Sequence, residues 1–228
     1  MRRPTFSPLE QVRHLRSVES RLLPLGERRA DIDAVMTEME RGYEAVADHY
    51  GFVCRGCEES CCRTVFYHHT YAEFLLLSEG LRTLAEGDLA GVYGRASEVQ
   101  ARLSRGEGAG PPRAMCPLNR EGRCMLYAHR PMICRLHGIP HRLRRPDGQV
   151  VNGPGCHRFG ALVEGEANVS RRLDRTPYYQ RLAQVEGALR QGIEAPIRLN
   201  MTLAEWLCAC ASLDGAEDWF EEKRTNPK

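Results

Sequence analysis

The stretch CRGCEESCC, Cys54 to Cys62, places four thiols within nine residues. Cys54 and Cys57 form a Cys-x2-Cys step in which Gly56 permits a tight turn, the usual way to aim two sulfurs at one centre. Cys61 and Cys62 pose a different problem. Adjacent Cα atoms lie about 3.8 Å apart, and in extended chain successive side chains point to opposite faces. The pair therefore serves one tetrahedral centre poorly and two centres well. Two readings follow: the pair is a hinge between two metal sites, or one thiol is a ligand while the other packs or acts in redox chemistry.

Downstream, Cys116, Cys124, Cys134 and Cys156 fall in CPLNREGRCMLYAHRPMICRLHG (116–138) and GPGCHRFG (153–160). Soft thiolates select zinc, copper(I) or iron–sulfur clusters. Zinc modules with eight cysteines normally carry Cys-x2–4-Cys knuckles in both halves. Here only the first half has one, and the later gaps are seven, nine and twenty-one residues. Iron–sulfur clusters accept dispersed ligands, and Cys116-Pro117 resembles the Cys-Pro that ends ferredoxin cluster runs. An iron–sulfur cluster is therefore preferred over Zn2+, with Cys54, Cys57, Cys61, Cys62, Cys116, Cys124, Cys134 and Cys156 as candidate ligands.

Arg55, Arg63, Arg123, Arg130 and Arg135 adjoin these cysteines and suit the offset of a negative thiolate centre. His137 and His157 lie near Cys134 and Cys156, where a ring nitrogen can replace a sulfur. His68 and His69 read as a polar lead-in to a helix cap at Thr70. Cys208 and Cys210, in WLCACAS, stand two apart on a helix, face different sides, and read as small buried hydrophobes.

The rest of the chain supplies helices. Ile32, Val35, Met36, Met39, Tyr43, Val46 and Tyr50 mark one face of a helix over 31–50 that leads into the cysteine stretch. TYAE (70–73) is a capping-box signature for a helix to about Gly80, and apolar spacing predicts another over 88–103. SRGEGAGPPRAM (104–115) reads as a connection, although cysteines on its two sides are free to share one site. IPHRLRRPDGQVVNG (139–153) predicts a β-hairpin turning at Pro146-Asp147-Gly148. A helix capped by Thr176, with Pro177 first and Gly192 closing it, is followed by a last helix from TLAE at Thr202.

A chain of 228 residues with 42% hydrophobic residues has enough material for a packed core. A net charge of +2 gives no field to recruit nucleic acid, which argues against that partner and leaves an unidentified protein partner open. No run approaches the ~18 apolar residues of a membrane span. The N-terminal MRRPTFSPLE has no apolar run that would read as a leader, so a cytoplasmic, reducing location is expected, where clustered cysteines mean metal or redox chemistry.

The two cysteine segments together resemble the YkgJ-type cysteine-cluster family, known by a CxxCxxCC signature and associated with zinc or iron chelation. The second block of that family is matched by Cys116-Pro117, Gly122, Cys124, Tyr127, Arg130-Pro131 and Cys134-Arg135. The resemblance covers roughly 50–160 and departs from the signature at one point, since the chain reads Cys-x2-Cys-x3-Cys-Cys. It implies metal chelation. A related branch, the flagellin lysine methylase, makes a metal-dependent protein-modifying enzyme the alternative to a structural, electron-transfer or accessory role.

The expectation is a mainly α fold with helices around an irregular cysteine-rich metal-binding centre and one small β-hairpin. Residues 1–30 are read as an N-terminal extension, 31–215 as one helical domain with its cysteine core at about 50–160, and 216–228 as a tail.

Overall fold

The computed structural model describes residues 6–22, 26–54, 61–106, 113–163 and 170–215. Arg55, Gly56, Cys57, the side chain of Cys61 and the tail at 216–228 lie outside the described residues, as does 107–112 of the connection. Among the described residues the chain is mainly helical.

Helix α1 (Pro8–Leu22) occupies the segment read as an extension. Ser7 Oγ accepts the Glu10 N–H while Glu10 Oε2 accepts the Ser7 N–H, and Pro8 opens the helix with φ already suited to it. Val12, Leu15 and Val18 then turn inward and are buried. Helix α2 (Gly26–His49) buries Ile32, Val35, Met36, Met39 and Val46, the face expected from their spacing. A 3-10 turn at Cys61–Arg63 closes the cysteine stretch.

Strand β1 (Tyr67–His68) leads into α3 (Tyr71–Arg82), and α4 (Glu86–Ser104) runs to the connection. Beyond it, β2 (Asn119–Arg120) and β3 (Arg123–Cys124) form a tight hairpin. Its turn residues Glu121 (φ 54°) and Gly122 (φ 81°) both lie in the left-handed region, as a two-residue hairpin turn requires. The four-residue helix α5 (Met132–Arg135) carries Cys134.

Strands β4 (His141–Arg144) and β5 (Val150–Gly153) make the hairpin expected at the Pro-Asp-Gly turn. The structure adds a third strand after α6 (His157–Leu162), because β6 (Leu173–Asp174) pairs parallel to β4. Helix α7 (Thr176–Gln191) starts one residue earlier than expected: Arg175 is its cap, and Thr176 Oγ1 instead accepts the Arg144 N–H. Strand β7 (Met201–Thr202) opens α8 (Leu203–Leu213), whose Thr202–Glu205 capping box is fully formed. The single hairpin of the sequence reading is thus corrected to three small sheets among the described residues, β1–β7, β2–β3 and β5–β4–β6.

Helix α8 is the centre of the packing. A helix apolar on most sides must be buried, and Ala204, Trp206, Leu207, Ala209, Cys210 and Ala211 are. It lies against α1 and α4, while α7 packs on α2 and α3. Trp206 meets Phe74 of α3 with ring centroids 5.8 Å apart. Cys210 belongs to this core, where burial pushes its thiol up to about 12; Cys208 is half-buried beside it and raised to about 11 by the same cause.

Candidate functional site

The backbone brings the two cysteine segments together. Cys116 donates its N–H to Cys62 O, Ala114 donates to Arg63 O at 3.1 Å, and Thr64 bridges antiparallel to Arg113. Asn119 N–H returns to Cys116 O at 2.9 Å, which sets the β2–β3 hairpin and places Cys124 opposite Asn119. From α4, Arg95 Nε donates to Pro117 O at 2.8 Å and anchors this turn to the helical layer.

The result is one cavity of about 570 Å3 bordered by Cys54, Cys62, Cys116, Cys124 and Cys134. Five of the eight candidate ligands therefore share a single space. Much of the remaining lining is apolar: Val65, Phe66, Leu77, Val99, Leu118 and Leu203 contribute. Cys54 is exposed, and the other four thiols are half-buried.

Cys156 does not border the cavity; it sits behind Tyr43. Burial pushes the Tyr43 phenol up, and the Cys54 and Cys156 thiols beside it push the same way. Gly155 has φ 94°, and a Cβ there would meet Gly138 O at 2.9 Å; this close approach lets Cys156 N–H donate to Gly138 O.

Of the five arginines, Arg55 lies outside the described residues, and the other four divide between the cavity, the fold and the surface. Arg123 and Arg130 border the cavity, with Arg130 stacked 3.5 Å from the Tyr127 ring centroid and 3.7 Å from Glu40. Arg135 serves the fold instead: it is buried and bonds Glu40 of α2 and the carbonyls of Arg130 and Ala128. Arg63 is exposed.

The histidines are redistributed. His68 is not a solvated lead-in to the cap but a buried residue bordering the cavity. Its Nδ1 lies 3.9 Å from Oε1 of Glu73, which is also buried. Glu73 Oε2 accepts the Thr70 hydroxyl at 2.7 Å, and Oε1 accepts Met132 N–H at 3.0 Å, an orphan donor at the start of α5. Burial alone would raise the Glu73 carboxyl, but His68, then Thr70 and Met132, hold it below the ordinary carboxylate value. Glu73 thereby ties His68 to the helix that carries Cys134. His137 packs edge-on to Phe66, and burial, followed by the charge of Arg175, lowers it to about 4. His157 and His69 are exposed.

The donor set suits a thiophilic metal, since five thiols share one cavity with two arginines at its border. Among the described residues no three His, Cys, Asp or Glu side chains stand close enough together to hold a metal ion. The tight spacing that would draw ligands together in sequence, Cys54 to Cys57 and Cys61, falls on the side chains outside the described residues. No family model matches the chain, and no curated protein or solved structure does.

Proposed function

We propose that the chain is a cysteine-cluster metalloprotein. Cys54, Cys62, Cys116, Cys124 and Cys134 would hold the metal with Cys57 and Cys61, and Cys156 would add to the centre from behind Tyr43. An iron–sulfur cluster is preferred over Zn2+ because the thiols come from dispersed segments rather than paired knuckles. The observation that carries this reading is the one cavity bordered by five of the eight cysteines. Bound there, a cluster supplies one-electron transfer or a Lewis-acidic iron. The chain's own residues supply the rest: Arg123 and Arg130 offset thiolate charge, and Glu73 fixes the start of α5 and so the position of Cys134. Metal and sulfide analysis of anaerobically purified protein tests the reading, with stoichiometric metal expected and metal-free folded protein contradicting it.

The apolar wall favours a second reading within the first. A centre saturated by thiols needs no adjoining space, whereas a space of about 570 Å3 matches that of small-molecule sites. A metal-dependent protein-modifying enzyme, the activity implied by the likeness to flagellin lysine methylase, would use such a space. Cyanide separates the two roles: an open coordination position binds it and shifts the visible or paramagnetic spectrum, and a saturated electron-transfer centre does not.

A further inference from the structure

The cavity has a polar end that the thiols do not account for. Strands β1 and β7 form part of its wall, with Tyr67 opposite Thr202 and His68 opposite Met201. Thr202 uses its hydroxyl on the Glu205 N–H of α8, at 3.2 Å. His68 is only 2% exposed, and among the described residues its Nε2 meets no hydrogen-bond partner. Buried polar atoms of this kind are almost always paired, so an orphan at a cavity wall calls for a ligand.

Glu73 decides what kind. It lies behind His68, away from the cavity residues, and its oxygens are fixed by Thr70 and Met132. A carboxylate only accepts hydrogen bonds, so the tautomer that complements Oε1, 3.9 Å away, has its proton on Nδ1. In the neutral ring, Nε2 is then a lone pair. Val65, Phe66, Leu77, Leu203 and Ala204 border the same cavity, and their side chains offer no polar group.

We propose that His68 Nε2 is the hydrogen-bond acceptor of a ligand site in this cavity, and that the ligand is an apolar molecule carrying one uncharged donor, a hydroxyl or amine. The site shares its space with the proposed metal centre but does not depend on the metal. The lining combines thiols and arginines with His68 and apolar side chains, and Glu73 holds His68 from outside it.

Binding of 4-butylphenol and its methyl ether to the full-length purified protein tests this. The two probes share an apolar body and differ in the donor. The phenol is expected to bind roughly five- to tenfold more tightly, the effect of one hydrogen bond to an otherwise unpaired acceptor. His68→Phe is expected to bring the ratio close to one. Equal affinities in the unaltered protein, binding of neither probe, or a preference that survives His68→Phe each overturns the proposal. Long-range 1H–15N spectra of the unaltered protein give a readout that needs no variant. An unprotonated Nε2 that shifts on adding the phenol is expected, and a protonated Nε2 contradicts the assignment. Metal content measured on the same samples keeps the two readings apart, since absent metal with an intact phenol preference contradicts only the metalloprotein reading.

Discussion

Cys116 donates its backbone N–H to the carbonyl oxygen of Cys62 at 2.5 Å. Two segments far apart in sequence are thus registered by the main chain, and Ala114 to Arg63 and Thr64 to Arg113 extend the pairing. The registration is made by main-chain atoms and uses no thiol. Closing the intervening chain costs loop entropy that grows only slowly with length.

Ala114→Pro removes the N–H that Arg63 O accepts, at a position that is buried. A lost buried hydrogen bond costs roughly 1–3 kcal/mol. Thermal melting should show a drop in midpoint, and metal content should fall with it because the two cysteine segments lose register. Unchanged metal content would mean that the pairing does not position the thiols.

Gly155→Ala places a Cβ 2.9 Å from Gly138 O at φ 94°. The strain should cost on the order of 1–3 kcal/mol in denaturant unfolding. Gly160→Ala, inside α6 where a Cβ meets nothing within 4 Å, is the control and should hold or slightly raise stability.

Cys134→Ser and Cys210→Ala should separate centre from core. Cys134 borders the cavity, so its variant should lower metal content. Cys210 is buried in α8 with its thiol pushed up to about 12, so it should resist alkylation, and its variant should retain metal. Cys54, exposed where Cys62, Cys116, Cys124 and Cys134 are half-buried, should alkylate before those four in metal-free protein.

Acid should destabilise the fold in two windows. The folded value of His137 is lowered to about 4, below its ordinary 6.5. The unfolded chain then binds the proton first, so stability present above about pH 6.5 is lost as pH falls towards about 4. Glu73 is also lowered, and its contribution, present above the ordinary carboxylate value, is lost only at more acidic pH, as its lower folded value is crossed. Stability–pH curves of His137→Gln and Glu73→Gln should each flatten in the corresponding window.

Much of the helical layer is legible in the sequence because its causes are local. The apolar spacing of α2 and the Thr-x-x-Glu signals before α3 and α8 act within a few residues. The SPLE start of α1 carries the same kind of signal, but α1 finds its place through α8 at the other end of the chain. His68 was illegible for a related reason. In FYHHT it precedes a cap, and its burial comes from pairing with Met201 in strands two residues long, too short to leave a periodic pattern. Likewise, Glu73 reads as half of a capping box, and only the fold shows its bond to Met132. The cysteines that border the cavity were legible as a group, since clustered thiols are a compositional signal, whereas the place of Cys156 behind Tyr43 depends on the turn at Gly155.

The most direct measurement is the metal and acid-labile sulfide content of anaerobically purified protein, read with its visible spectrum and compared with Cys62→Ser, Cys116→Ser and Cys134→Ser. The account predicts metal in fixed proportion to chain, with iron and sulfide together and a coloured protein, and loss of that metal in each variant. Folded, monodisperse protein without metal, or variants that retain it in full, would contradict a metal centre built on these cysteines.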